Sequence, residues 1–397
     1  MKNYQIVVRG VVTIKSKAVV ISQDFYPKIG GIARYLESFI EKYLSDFEVH
    51  VITPREICDG VDYSNKDYYI HSTDFSPFDF NNIQRRNSNE KITQILSNID
   101  PCCIFLGYVR SHPEALLDYR KNNTLVKLFA ISHAKEIFFN IANPTNVNGS
   151  QRGFLSEEIY FYKQVLNQFD FLMPVSKYTQ LILYQNGVNK PKTVVVNPPI
   201  NPPHYVQTTR DMNTFNILSV GRLIKRKGQD EVLKSLPRVI EKHPQVRYSI
   251  IGSGPEYSNL CKLIKELDLE SSVNILYDVA DSELASHYQS SDLFVLPTKH
   301  LDHIDVEGFG IVFLEAGSYG IPSIGGRTGG VVDAIEDNKT GFLINPYDSC
   351  ELSDKICELI SNDTLRKKMG NEAYHKAKPL FTCYKSELIN GLLMVDK

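Results

Sequence analysis

The sequence predicts an α/β protein built from two doubly wound, Rossmann-like domains, and three observations carry that prediction. Short β-branched runs alternate with stretches of helical spacing along nearly the whole chain. Glycine-rich turns stand between several of those strands and the helices after them. One proline-dense segment, residues 197–203 (NPPINPP), divides the pattern into halves, because four prolines in seven residues continue neither a helix nor a central strand. A length of 397 residues suits two domains better than one.

In order along the chain, residues 17–22 (KAVVIS) form the first strong strand candidate, and Pro27 with Gly30-Gly31 breaks it. Apolar residues at Ile32, Tyr35, Leu36, Phe39, Ile40, Tyr43 and Leu44 then predict a helix. Strands are expected again at 47–53, 102–106, 125–131, 171–175 and 193–196, mostly with helical stretches between, which implies parallel βαβ units. Beyond the proline segment, strands are expected at 215–220, 247–251, 273–276, 293–296 and 321–324, with helices near 229–241, 256–267 and 282–289. No sequence repeat relates the halves. The expected organisation is an N-terminal domain over 1–203 and a second domain over 204–379.

Composition narrows the function. Hydrophobic residues make up 42% and charged residues 23%, so the chain folds rather than staying disordered. A net charge of −2 offers no general attraction for nucleic acid. Residues 1–203 hold 22 basic and 19 acidic side chains and the remainder 22 and 27. That surplus fits a chance distribution, or a face of the N-terminal domain that touches anionic lipid peripherally. Seven cysteines, of which only Cys102 and Cys103 are close, suggest neither a disulfide framework nor a zinc site and fit a reducing cytoplasm. Apolar runs are far shorter than the ~20 residues of a spanning helix, and the opening residues do not read as a signal peptide.

Three stretches carry the chemistry. Gly30-Gly31 opens a helix directly after a strand, where unpaired backbone N–H groups suit a phosphate, although alone the pair reads as an ordinary tight turn. Residues 221–228 (GRLIKRKG) place four cations within six residues after the first strand of the second half, fit for a diphosphate or simply a solvated basic loop. Residues 306–315 (VEGFGIVFLE) set Glu307 on a glycine-flanked loop and Glu315 in an apolar helix. There a carboxylate must be paired, bind ligand hydroxyls or lie on the wet face. Gly325-Gly326 and Gly329-Gly330 form another anion-friendly turn.

In that order, Gly30-Gly31-Ile32, Ser132-His133, 174–179 (PVSKYT), Gly221-Arg222-Leu223 with Lys227-Gly228, 252–256 (GSGPE), Glu307 with Glu315, Gly329-Gly330 with Asp333, and Thr340-Gly341-Phe342 resemble the retaining nucleotide-sugar glycosyltransferases of family 4. The resemblance covers almost the whole chain and implies the GT-B fold, two Rossmann-like domains facing across a cleft, with a C-terminal helix over 380–397 packing back on the first. It implies that Arg222 and Lys227 hold the donor diphosphate, with Gly30 and Gly31 approaching from the other domain and Gly252 also in the donor site. Glu315 would bind the ribose and Glu307 the donor sugar. The backbone of Phe309, Gly310, Ile311 and Val312 would line the sugar and phosphate region, and His133 would sit beside the reacting centre. Alone, a histidine after a buried strand reads as a packed core residue. Residues 306–315 look most like the phosphatidylinositol mannosyltransferase branch, which uses GDP-mannose; UDP-hexose and UDP-N-acetylhexosamine stay open.

The chain departs from the family pattern at Asn197-Pro198, Asp333 and Tyr277-Asp278, so the resemblance does not specify the base. Residues 1–16 precede the first family strand and are expected as an added edge strand.

The implied activity is hexosyl transfer from a nucleotide sugar to a glycan or lipid-linked hydroxyl, in polysaccharide or glycolipid synthesis at the cytoplasmic side. A GT-B sugar-nucleotide epimerase and a non-enzymatic nucleotide-sugar-binding module are the alternatives. An NAD-dependent oxidoreductase is disfavoured because no Gly-x-Gly-x-x-Gly follows the first strand. No Asp-x-Asp triplet occurs, so protein cations take the part a metal plays elsewhere and no cofactor is required. Transfer is accordingly expected to continue in excess chelator; complete loss, restored by Mg²⁺ or Mn²⁺, would overturn this.

Overall fold

The computed structural model describes residues 6–8, 11–13, 15–28, 30–74, 82–134, 137, 161–206, 211, 213–277, 279–301, 305–382 and 386–394. The chain divides into two compact units. One comprises Met1–Val175, Gln180–Pro199 and Cys383–Lys397, the other Ser176–Thr179 and Ile200–Thr382.

At the start of the first unit, strands β1 (Ile6–Val8) and β2 (Val11–Thr13) pair antiparallel with each other. Among the described residues they join neither large sheet, which corrects the expected edge strand. Two strands separated by two residues close on each other at little entropic cost, so local pairing wins.

The first large sheet contains β3 (Lys17–Ile21), β4 (Glu48–Pro54), β5 (Tyr68–Thr73), β6 (Cys103–Leu106), β7 (Lys127–Ser132) and β8 (Phe171–Pro174). All pairs are parallel, in the order β5-β4-β3-β6-β7-β8. Val19, Val20 and Ile21 on β3 and Ile104, Phe105 and Leu106 on β6 are wholly buried, as expected of central strands covered on both faces. Phe105, Phe129 and Phe171 stack across three neighbouring strands with centroids 4.6 and 5.6 Å apart. Helix Gly31–Tyr43 starts where the glycine pair predicts and buries Tyr35, Leu36, Phe39 and Ile40. Helix Ser386–Leu393 lies against it; part of the C-terminal helix expected over 380–397 falls outside the described residues.

The run 193–196 is not a strand. Val194 and Val196 donate to the Leu172 and Pro174 carbonyls at 2.9 and 3.0 Å, but only Thr193 makes a bridge. Pro198 and Pro199 follow and have no N–H to extend a ladder.

The second unit repeats the architecture with β9 (Phe215–Val220), β10 (Val246–Ile251), β11 (Val273–Leu276), β12 (Leu293–Leu296), β13 (Ser323–Gly326) and β14 (Gly341–Ile344). They are parallel in the order β11-β10-β9-β12-β13-β14. Each sheet therefore reverses its winding between its first and fourth strands, β3 and β6 in one, β9 and β12 in the other. That reversal opens a crevice at the carboxyl ends, where α/β sheets bind ligands. Strands β5 and β14 were absent from the sequence expectation, because β5 is a half-polar edge and β14 starts at a glycine directly after the turn-rich run 336–340 (EDNKT). No helix among the described residues is long and apolar enough to cross a membrane.

Leu293 on β12 is fully buried, whereas Leu125 is 91% exposed. Leu293→Ala is expected to destabilise the protein by about 3 kcal/mol, and Leu125→Ala by no more than ~0.5 kcal/mol, as read by denaturant melts. Equal effects would contradict this placement.

Candidate functional site

A buried, highly charged site lies in the second unit at the winding reversal between β9 and β12. From β9 the chain enters the basic loop over an exposed Arg222. It is fastened from beneath by fully buried Leu223, whose N–H donates to the Ser253 carbonyl at 2.8 Å. Gly252, at the end of β10, is required here: a Cβ on it would lie 2.1 Å from the Gly221 carbonyl oxygen. Helix Gln229–Lys242 follows directly after Gly228.

The loop turns Arg226 and Lys227 inward. Lys227 Nζ donates to Glu307 Oε2 at 2.6 Å and Arg226 Nη1 to the same oxygen at 2.7 Å. Side-chain exposure is only 7% for Arg226, 11% for Lys227 and 15% for Glu307. Arg226 Nε also lies 3.1 Å from Asp305 Oδ1, an ion pair rather than an aligned hydrogen bond. Burial opposes the charge on Glu307, but Lys227 and Arg226 outweigh it and hold the carboxyl well below the usual carboxylate range. Burial lowers the Lys227 ammonium despite Glu307, and the charges of Arg226 and Arg222 add to that. For Arg226, Glu307 and Asp305 overcome burial and raise it.

A second buried ion cluster holds this loop from the side. The Lys299 N–H, beyond β12, donates to the Arg226 carbonyl at 2.7 Å. Its ammonium binds Asp230 at 2.8 Å and Glu231 at 3.0 Å, both in the first turn of the following helix. Burial works against the Asp230 carboxylate, yet Lys299 and Lys234 lower its pKa.

The Glu307 backbone is held as firmly. Gly330 N–H donates to the Glu307 carbonyl at 2.8 Å, and a Cβ on Gly330 would lie 1.9 Å from the Gly308 carbonyl oxygen. The glycine pair read from sequence as an anion-friendly turn is thus filled by the backbone of Glu307 and Gly308. Phe309 is buried and anchors the loop, Gly310 precedes helix Ile311–Ser318 in the left-handed region, and Ile311 and Val312 are half-buried at its start. One turn on, half-buried Glu315 accepts a hydrogen bond from the Tyr288 hydroxyl at 2.9 Å.

In the first unit, a Cβ on Gly30 or Gly31 would meet nothing within 4 Å among the described residues. His133 follows β7. Its Nε2 lies 2.9 Å from the Gly107 carbonyl oxygen, which can only accept, so this nitrogen carries the hydrogen. Its ring meets Tyr35 edge-on at 5.0 Å.

Within the second unit the structure brings Lys227 to Glu307 and places Gly252 under the same loop, with Glu315 on the helix behind Glu307. Arg222 is exposed and does not join the buried pair. Gly30, Gly31 and His133 belong to the first unit. Sequence reasoning gave no individual role to Arg226, Asp305, Lys299 or Tyr288; for Arg226 the signal was its place in the run of cations. Among the described residues no group of three His, Cys, Asp or Glu side chains is placed to hold a metal ion.

Residues 204–376 match the family described as Glycosyl transferases group 1. A GDP-mannose-dependent alpha-(1-6)-phosphatidylinositol monomannoside mannosyltransferase of Mycolicibacterium smegmatis is 30% identical over 162 residues, a match covering 41% of this chain and 42% of that relative. The monoacylated-substrate mannosyltransferase of Corynebacterium glutamicum is 25% identical over 89% of this chain and 91% of its own. Anabaena HepE, solved with UDP, shares the fold with a TM-score of 0.75 at 18% identity, covering 95% of this chain and 99% of that one. Sucrose-phosphate synthase of Thermosynechococcus elongatus does so at 0.74 and 17%, covering 96% and 98%.

Glu307→Gln leaves two buried cations with one carboxylate fewer, so a loss of about 3 kcal/mol at pH 7 is expected. Because the folded carboxyl titrates below its unfolded counterpart, its contribution is complete above about pH 4.5 and is lost as pH falls further. Melts from pH 7 to pH 3 should show wild type and variant converging only below that value. A gap that closes near neutrality would contradict the pairing.

Proposed function

Taking residues 204–376 as a glycosyl transferases group 1 domain, we propose that the protein transfers a hexosyl unit from a nucleotide diphosphate sugar to an acceptor hydroxyl, with retention at the anomeric carbon. The observation that carries this reading is the buried Lys227–Glu307–Arg226 cluster at the winding reversal of the second sheet. Buried charge of that density is expensive to maintain and suits a ligand that is itself highly charged.

As the glycosidic bond breaks, negative charge gathers on the departing diphosphate, and catalysis consists mainly of stabilising it. Lys227 supplies a point charge from inside the site and Arg222 a mobile fork from its rim. Glu315, oriented by Tyr288, takes the ribose hydroxyls. Glu307 faces the transferred sugar. The backbone from Phe309 to Val312 lines the sugar and phosphates, and Gly252 lets the Gly221 turn close against the end of β10, which sets the course of the basic loop. These cations serve without a divalent metal.

GDP-mannose is the favoured donor, supported by the names of the mycobacterial and corynebacterial relatives. The acceptor is a glycan or lipid-linked hydroxyl in polysaccharide or glycolipid synthesis. The reaction takes place in the cytoplasm, with peripheral contact at the inner membrane face through the first unit.

Calorimetric titration with GDP-mannose, GDP, UDP-glucose and NAD⁺ tests this. Tightest binding is expected for the guanine nucleotides, and Arg222→Ala and Lys227→Ala should each weaken it by roughly 2 kcal/mol. Following the anomeric products by NMR separates transfer with retention from epimerisation. Unchanged affinity in both variants would sink the assignment.

A further inference from the structure

We propose that Arg226 is a positioning residue, which keeps Glu307 fixed while Lys227 turns from Glu307 to the diphosphate of an incoming donor. The inference rests on the donor reading given above and adds a residue that the reading leaves without a role.

The geometry that points to it is a shared acceptor. One oxygen of Glu307, Oε2, takes hydrogen bonds from Lys227 at 2.6 Å and Arg226 at 2.7 Å, two consecutive residues of one loop. The two cations are not equivalent. Lys227 is an ammonium on a flexible stem whose donors can be re-aimed within the site. Arg226 is a planar fork engaged by two acids, with Asp305 Oδ1 3.1 Å from its Nε, and its own carbonyl is pinned by the Lys299 N–H at 2.7 Å. A diphosphate competes directly for Lys227. If Lys227 were the sole partner, its departure would strand a buried carboxylate, which would take up a proton or swing away. With Arg226 in place, Glu307 stays charged and oriented toward the sugar. The ionisable groups acting on Glu307 are Lys227 and Arg226 from the loop after β9, with Asp305 neutralising Arg226 from the Glu307 loop and Arg222 acting through Lys227.

The test uses the full chain as wild type, Arg226→Met and Arg226→Lys. GDP is titrated at pH 6.5 in two buffers of different ionisation enthalpy, which counts the protons taken up on binding, and kcat and KM for the donor are measured alongside. Arg226→Met is expected to take up about half a proton or more beyond wild type, because Glu307 loses its last partner. Its kcat should fall on the order of a hundredfold, as for a misplaced reacting group, with KM changed far less. Arg226→Lys keeps the charge and should restore the wild-type proton count and much of kcat. Should Arg226→Met melt below the assay temperature, Arg226→Gln, also uncharged and of similar reach, takes its place with the same expectation. GDP binding by wild type, together with a wild-type proton count and kcat in the uncharged variant, overturns the inference and leaves the donor reading standing. Failure of wild type to bind any nucleoside diphosphate overturns the donor reading, and the inference with it.

Discussion

Two cations closing on one buried carboxylate is the interaction on which the second unit's site depends. Lys227 and Arg226 come from the loop after β9 and Glu307 from the loop after β12, 80 and 81 residues away in sequence. Removing the carboxylate leaves two cations with too few partners in a place water barely reaches, and removing both cations strands the carboxylate. The neighbouring elements can be read as what this arrangement requires: Leu223 buried beneath the loop, Lys299 bound across the start of helix Gln229–Lys242, and Gly330 lying against the Glu307 backbone.

The winding of the sheet explains why those loops meet. Parallel strands send every helix-leading loop to the same edge, and strand order reverses between the adjacent strands β9 and β12, so the loops after them flank one crevice. The first unit has the same order around β3 and β6, with Gly30-Gly31 after β3 and Gly107, the partner of His133, after β6. Two halves without sequence similarity thus place their glycines and polar groups by one topological rule.

Glycines serve this architecture in two ways. At Gly252 and Gly330 the missing Cβ lets two backbones approach within what any side chain would forbid. At Gly30 and Gly31 the same absence meets no other atom within 4 Å among the described residues. The residue type alone does not distinguish the two uses, because what faces the missing Cβ comes from a distant part of the chain.

By itself the sequence determined the class of fold, most strands to within a residue or two, the helix after Gly30-Gly31, and the stretches 221–228 and 306–315 as the places to look. These features follow from local periodicity and from turn residues, which act over a few positions. Tertiary structure decided that Arg226, not Arg222, shares Glu307 with Lys227, that Tyr288 reaches Glu315, and that Gly329-Gly330 packs against backbone. It also decided that the first two strands pair with each other and that 193–196 stays an extended flank of β8. Each of these depends on which groups meet after long loops close, and spacing along the chain carries no record of that.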